Sequence, residues 1–519
     1  MSIENRFNLV DEPWIPVVGH GLASLSDIFS NSGLTALGGN PIQKIALLKL
    51  LLAIAQTAYT PNSDVEWKRL GADGMAEKCL KYLNDKKDLF WLYGKKPFLQ
   101  MPKILILIHN RKEAELNSAK TSAKMKEAEE KALPKGIGSA TIPDLMAENN
   151  TILTQNQYSE QLTDADKAIF IISLMNFALG GKRVEKNLAS LSNGYVGKTN
   201  SAKSGPSLGN YVGYLHSFLL GSRIQESLYI NLLTNEHIDE NKLWENKIGC
   251  PPWERMPDGE DCEVAKSLKK SYMGCLVGLS RFIMLMDLGI YYVEGIQYHS
   301  HKQGWEEPSM AIDRMGKDAK VLWVNTEKKP WRNLTALLAF VSGLNIVGYD
   351  CKQICWTLSR AKEFENFFVW SGGLKVRGNA GDQSVKQEDD FVESEVQLHS
   401  SFFKKGSEFF ALLKTEMEEL ENISKILYGR TIGFFKAQKL DGTQIAGQTT
   451  NLFWQLCERK FQKLVDTCAF YNSKEELKKM RKEFAGFINK AYNTYCPKDT
   501  ARQLDAWAAN KPNLSKYLA

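Results

Sequence analysis

Residues 194–205 read GYVGKTNSAKSG, and the Gly197-Lys198-Thr199 at their centre is a sequence suited to phosphate. Two chemistries use such a stretch. In a P-loop, G-x-x-x-x-G-K-[ST], successive backbone amides wrap the phosphates of a nucleotide. In a groove-entering loop, side-chain-poor backbone comes close to base pairs while lysines neutralise neighbouring phosphates. The P-loop spacing requires a glycine at 192, where Ser192 stands. VEKNLASLSN, just before, lacks the pattern of a buried strand, and NSAKSGPSLG, just after, has too many breakers for the helix a P-loop feeds. The second chemistry fits better, and nucleotide hydrolysis through Gly197-Lys198-Thr199 stands as its alternative.

A second polar loop, SGGLKVRGNAGDQSVKQEDD at 371–390, sets Lys375, Arg377, Asn379 and Gln383 among Gly378, Ala380 and Gly381. Amide side chains can hydrogen-bond base edges, and small neighbours permit the approach. A projecting loop of this kind can also part a duplex by filling the space a base pair vacates; a plain surface loop has the same composition. His299 and His301 in YHSHKQGWEEP would face one side of a strand, as metal ligands do. A polar strand end running into a loop gives the same pattern. H-E-x-x-H and G-x-S-x-G are absent, and the 7 histidines form no catalytic constellation. No catalytic residue, cofactor or metal site is therefore expected. The 9 cysteines are scattered, odd in number and without C-x-x-C. They read as reduced, buried thiols of a cytoplasmic protein, with Cys351 and Cys355 on one helix face.

Elements must hold these loops. A chain of 519 residues, 43% hydrophobic and 24% charged, is long enough for two or three domains. No long uncharged apolar run predicts a membrane span, and MSIENRF predicts no signal peptide. The net charge of +6 is unevenly spread: residues 401–519 carry 20 Lys/Arg against 13 Asp/Glu, so the first 400 residues sum to −1. A basic C-terminal module suits nucleic acid, and equally a solvated lysine-rich surface.

Local signals then place the elements. FNLVDEPWIPVV reads as two short extended runs around an Asp-Glu-Pro turn, with Pro16 marking an edge strand. Asn40 caps, Pro41 opens and Pro61 follows an apolar helix, IALLKLLLAIAQ at its centre. Residues 110–132 predict a solvated helix or mobile insert. Thr163 and Asp166 form a capping box, with Gly180 ending that helix. ESLYINLLT, FIMLMDLGIYYVEGIQY and AKVLWVN predict strands, the second turning at Asp287 to Gly289, and NLTALLAFVSGLN predicts a helix. Beyond 395 four helices are expected, near 396–427, 449–471, 473–493 and 499–517, with DGTQIAGQ as a linker. The fold expected is α+β: a mixed α/β domain over 1–395 followed by an antiparallel four-helix bundle over 396–519.

FNLVDEPWIPV at 7–17, followed by the apolar helix at 41–58, resembles the opening of the CasA family, the large subunits of type I-E CRISPR Cascade. The order of parts is similar along essentially the whole chain. The resemblance implies a non-enzymatic subunit that reads the protospacer-adjacent motif (PAM) in double-stranded DNA and wedges the strands apart. Pairing to the guide RNA then reads the sequence. It implies guide RNA, target DNA, other Cascade subunits and a recruited helicase-nuclease, or a nuclease-bearing subunit, as partners, and no membrane. The PAM loop would fall on Gly194, Gly197, Lys198, Asn200, Lys203 and Gly205. The strand-separating wedge would fall on Gly378, Asn379, Ala380, Gly381, Asp382 and Gln383, and the guide-contact loop on Asn150, Leu153, Gln155 and Asn156. Members use a hairpin lysine in the minor groove; here Glu294 stands about where it would align, and Lys302 is the nearest candidate. Zinc-binding cysteine pairs of some members have no counterpart after the guide-contact loop, so no zinc is expected.

Overall fold

A computed structural model describes residues 4–134, 162–177, 191, 213–287, 289–296, 298, 307–313, 320–338, 349–375, 391–403, 406–471 and 474–519. The opening runs are β1 (Arg6–Asn8), β2 (Ile15–Val17) and β3 (Gly21–Ala23). Pro16 lies opposite Leu22 in the antiparallel pair β2–β3, a two-stranded sheet in which every strand is an edge. After α1 (Leu25–Ser30) comes α2 (Pro41–Ala58), whose Asn40 side chain accepts from the Gln43 amide while Gln43 reaches back to the cap. α2 is long and apolar enough to cross a membrane, but 78% of it is buried in the protein. It is a core helix, which explains how Lys49 can sit in its middle: that side chain has an internal partner. α3 (Asp64–Asp85) and β4 (Trp91–Tyr93) follow, with β4 pairing to β1. The polar stretch forms α4 (Lys103–Ser118) and α5 (Ser122–Lys131). Thr163 caps α6 (Asp164–Asn176), whose helical backbone stops at Asn176; the expected stop at Gly180 is corrected by the non-helical Phe177.

The middle of the chain departs most from expectation. β5 (His216–Leu220) leads into α7 (Ile224–Asn231), so ESLYINLLT is helical through Asn231 and no part of it is a strand. Seven of its eight residues are buried, so it shows no exposed face and hence no helical period. Short helices α8 (Asn235–Glu240), α9 (Glu263–Lys269) and α10 (Tyr272–Leu276) precede an antiparallel hairpin. Its strands are β6 (Arg281–Met286) and β7 (Gly289–Glu294), with Met286 opposite Gly289 as the Asp287–Gly289 turn requires. β8 (Ile312–Asp313) pairs with β9 (Lys320–Val321); in AKVLWVN only these last two residues make a strand. α11 (Leu334–Leu337) and α12 (Lys352–Thr357) lead to β10 (Asn366–Leu374) and β11 (Phe391–His399). β10 lies between β11 and β5 in a three-stranded sheet.

The C-terminal helices are α13 (Gly406–Ala437), α14 (Thr443–Asp466), α15 (Lys474–Tyr495), α16 (Ala501–Ala509) and α17 (Ser515–Leu518). Three corrections follow. Residues 396–399 belong to β11, where Val392, Val396 and Leu398 are buried at even spacing, a strand period. Most of DGTQIAGQ is the first turn of α14. The fourth helix is split into α16 and α17 around Lys511-Pro512, because proline cannot continue a helix. Three long helices, α13 to α15, pack on one another and the short α16 packs on α13. The chain divides into a unit of 1–326, 350–360 and 370–394, and a second of 327–349, 361–369 and 395–519. In the second, Trp331 packs on Phe461 at 4.4 Å and Arg332 bonds Glu421 at 2.7 Å while lying over the Trp454 ring, so these two residues are drawn onto the helices.

Candidate nucleic-acid interface

The residues expected to read DNA and RNA, at 194–205, 378–383, 149–157 and 302, lie outside the described residues. What the structure does show is the ground from which three of those segments leave and to which they return, all within the first unit.

The segment holding Gly197 and Lys198 departs at the end of α6 and returns at β5. The departure is fixed by Asn176, buried, whose Nδ2 donates to the Ile172 carbonyl at 2.9 Å and whose Oδ1 accepts from Gly278 N–H at 3.0 Å. The two ends meet: the Phe177 ring packs edge-on against His216, centroids 6.0 Å apart. On the return, Val324 N–H donates to the Gly213 carbonyl and Leu215 N–H to that of Leu322, each at 2.9 Å. Midway, Leu191 N–H donates at 2.8 Å to the carboxylate of Glu260, itself fully buried.

The segment holding Asn379 to Gln383 joins β10 to β11, which are sheet neighbours. Lys375, the last described residue before it, donates to Thr326 Oγ1 at 3.1 Å. After it, Glu393 bonds Lys44 Nζ at 2.8 Å and accepts from Trp370 Nε1 at 3.2 Å. Gly373 is required here. A Cβ on it would stand 2.4 Å from the Tyr214 carbonyl oxygen and 2.7 Å from Val324 Cγ2. Only glycine lets β10 lie this close to the chain that leads into β5, and so brings the roots of both candidate loops onto one sheet.

The segment holding Lys302 follows the β6–β7 hairpin in the chain; Glu294 is the last residue of β7. Gly295 comes next, and a Cβ on it would stand 2.1 Å from the Leu279 carbonyl oxygen. This segment ends on Glu307, the centre of a buried polar cluster. Glu307 Oε1 meets Lys49 Nζ at 2.9 Å, with the two side chains 2% and 1% exposed. Glu307 Oε2 accepts from Ser309 Oγ at 2.5 Å and from Ser309 N–H at 3.1 Å, and lies 3.4 Å from His216 Nδ1. His216 Nδ1 also bonds Ser309 Oγ at 2.8 Å. Burial alone would push the Glu307 carboxyl up; Lys49, His216 and Ser309 outweigh it and hold the group down, to about 2. The cluster therefore holds a carboxylate with its charge matched. Being sealed from solvent it cannot meet a substrate. Its chemistry is positional, since it ties α2, the first residue of β5 and the end of the Lys302 segment at one point.

Sequence reasoning missed this cluster. Lys49 stood out only as a charge inside an apolar helix and Glu307 only as an acid near the His299/His301 pair, and His216 and Ser309 carry no local signal. Six of the nine cysteines are buried and all are free, Cys351 being sealed at the start of α12 and Cys355 partly exposed. Among the described residues no group of three or more His, Cys, Asp or Glu is placed to hold a metal.

A mixed helix-and-strand first unit followed by packed helices is a fold shared with known CRISPR proteins. The sequence pattern of the family CRISPR-associated protein Cse1 matches residues 8–491. The chain therefore belongs to the Cse1 (CasA) family of type I-E Cascade large subunits. It is similar to CasA/Cse1 of Thermus thermophilus, 25% identical over 416 residues, covering 74% of this chain and 70% of that protein. Solved structures share the fold. Thermus thermophilus CasA superposes with TM-score 0.70 at 17% identity, over 99% of each chain. Thermobifida fusca Cse1 gives 0.70 at 18%, over 97% of this chain and 93% of that one. A chain of a CRISPR RNA-guided surveillance complex gives 0.67 at 12%, over 98% and 99%.

Proposed function

We propose that this chain reads the PAM in double-stranded DNA and separates the first base pairs, breaking no bond itself, as the large subunit of a cytoplasmic type I-E surveillance complex. The observation that carries the reading is the shared sheet. The return of the segment containing Gly197-Lys198 and both strands flanking Asn379–Gln383 converge on β5, β10 and β11, with Gly373 against Tyr214. Two loops rooted so close together can act on neighbouring base pairs, one reading and the other filling the vacated space. Unpairing the first base pairs costs on the order of a few kcal/mol. Phosphate contacts and then the RNA–DNA hybrid offset it.

By the likeness to a chain of an RNA-guided surveillance complex, guide RNA and other Cascade subunits are proposed partners. Asn150, Leu153, Gln155 and Asn156 are assigned to the guide, Lys302 to the minor groove, and the basic helices after 395 to DNA. Recruitment of a helicase-nuclease, or positioning of a nuclease-bearing subunit, completes the role.

The test uses the assembled complex. Replacing Gly197 and Lys198, or Asn379 and Gln383, should weaken binding of duplex target by about tenfold or more. Binding of a single strand complementary to the guide should be unchanged. Equal loss on both substrates would overturn the assignment, and ATP turnover abolished by Lys198→Ala would replace it with nucleotide hydrolysis.

A further inference from the structure

Of the phenylalanines, tyrosines and tryptophans in the first unit whose side chains are described, two are exposed: Trp323, 44%, and Phe391, 41%. Both stand at the roots of the candidate loops. Phe391 is the first residue of β11, directly after the segment holding Asn379–Gln383. Trp323 lies beside the return of the segment holding Gly197-Lys198, in an antiparallel bridge with Tyr214. Large aromatics left in water forfeit the burial that stabilises the rest of a fold, so their confinement to this one place needs a reason.

The backbone around Trp323 is held on both sides. Leu322 N–H donates to the Ala311 carbonyl, its own carbonyl accepts from Leu215 N–H, and Val324 N–H donates to Gly213. Val321 packs with Tyr214, Met310 and Ile312, and Val324 with Leu215 and Val392. The indole meets Tyr214 edge-on, ring centroids 4.8 Å apart and planes at 65°. An edge-to-face contact with one ring fixes the indole, and at 44% exposure it still has a face open to another partner. Thr326, three residues on, holds Lys375 at 3.1 Å, which puts a cation at the same root. A fixed aromatic face with an ammonium nearby is the pairing that holds an unpaired nucleotide: the ring takes the base and the cation its phosphate.

We infer that Trp323 is a stacking platform for a nucleobase freed from its pair beside the PAM. This rests on the strand-separating function proposed above and adds a residue to it. Once the wedge displaces a base, the indole face receives it, which favours the open duplex over the closed one. The ligand class is a single unpaired base of DNA, taken without regard to which of the four it is, because every base offers a π face.

The experiment uses the assembled, guide-loaded complex with 2-aminopurine placed in turn at each of the first base positions next to the PAM, on either strand. With the parent protein one position should show quenched emission when the duplex opens, as a stacked fluorophore does. Trp323→Ala should restore that emission and weaken binding of duplex target about 5- to 150-fold, the range spanned by base–aromatic stacking. Trp323→Phe, which keeps a ring in the same place, should retain most of both signals, so that loss in the alanine variant is not misfolding. Single-stranded complement should bind the alanine variant as it binds the parent. If Trp323→Ala leaves both quenching and duplex affinity unchanged while the Gly197/Lys198 variant still loses duplex binding selectively, the platform is refuted and the reader stands. If the Gly197/Lys198 variant loses both substrates equally, the reader falls, and the platform falls with it.

Discussion

The two units differ in how deeply they bury paired charge. In the first, Lys49 and Glu307 are sealed in the interior, each under 3% exposed, and with His216 and Ser309 they fix where β5 and two candidate loops begin or end. In the second, no ion pair among the described residues is sealed on both sides: Arg481, 26% exposed, reaches the buried Glu416 at 2.7 Å, and Lys460–Glu483 at 2.9 Å has side chains 40% and 30% exposed. There the order comes from apolar residues three and four apart, such as Phe453, Leu456, Cys457, Phe461 and Leu464 along α14. The contrast marks where precision is needed. Helices packed by amphipathic faces take most of their order from apolar contact, whereas loops that must reach base pairs need roots that do not drift. A buried, hydrogen-bonded charge has one acceptable geometry, and that geometry is what it transmits.

The largest effect that would undo this contrast is on Glu307. Glu307→Gln leaves the Lys49 ammonium buried without its counter-charge and should cost about 3–5 kcal/mol in denaturant unfolding. Acid should reveal the same group. Its ordinary value is 4.5 and the folded protein holds it down to about 2. Ionised Glu307 therefore contributes its full stability above the ordinary value, and that contribution drains away as pH falls from about 4.5 toward about 2. The slope over this window should vanish in Glu307→Gln; an unchanged slope would show that another carboxylate carries it. Next in size is Gly373→Ala, which sets a methyl against the Tyr214 carbonyl and should destabilise the fold by about 1–3 kcal/mol. It should also weaken duplex binding more than single-strand binding, because it parts the two loop roots; a loss of stability with both affinities intact would separate the sheet from recognition. Smallest is Lys460→Ala on the second unit, where calorimetry should find a change below about 1 kcal/mol. A larger loss would erase the distinction between the units.

What could be read in advance depended on how local the signal was. Asn40 with Pro41, and Thr163 with Asp166, started their helices where the caps said, because a cap needs only residues three apart. The β6–β7 turn was legible for the same reason. α7 was read as a strand because burial on every side erased its period and Arg223 offers no side-chain cap. The even-spaced Val392, Val396 and Leu398 were a readable signal for β11, but 396–399 were assigned to the helices that follow. The polar cluster was out of reach: Lys49 and the Cys275 carbonyl it also contacts are 226 positions apart.

Residue order alone was enough for the family, through an extended opening and a capped apolar helix, and for which loops are poor in side chains and rich in amides and lysines. Those properties are written in neighbouring residues. It took the folded chain to show that two of the loops share one small sheet, that a glycine rather than any other residue joins them, and that an aromatic ring is left bare beside them. These are meetings of distant segments, and the physical terms that settle them, steric exclusion at Gly373 and charge matching around Glu307, exist only once the chain has closed on itself.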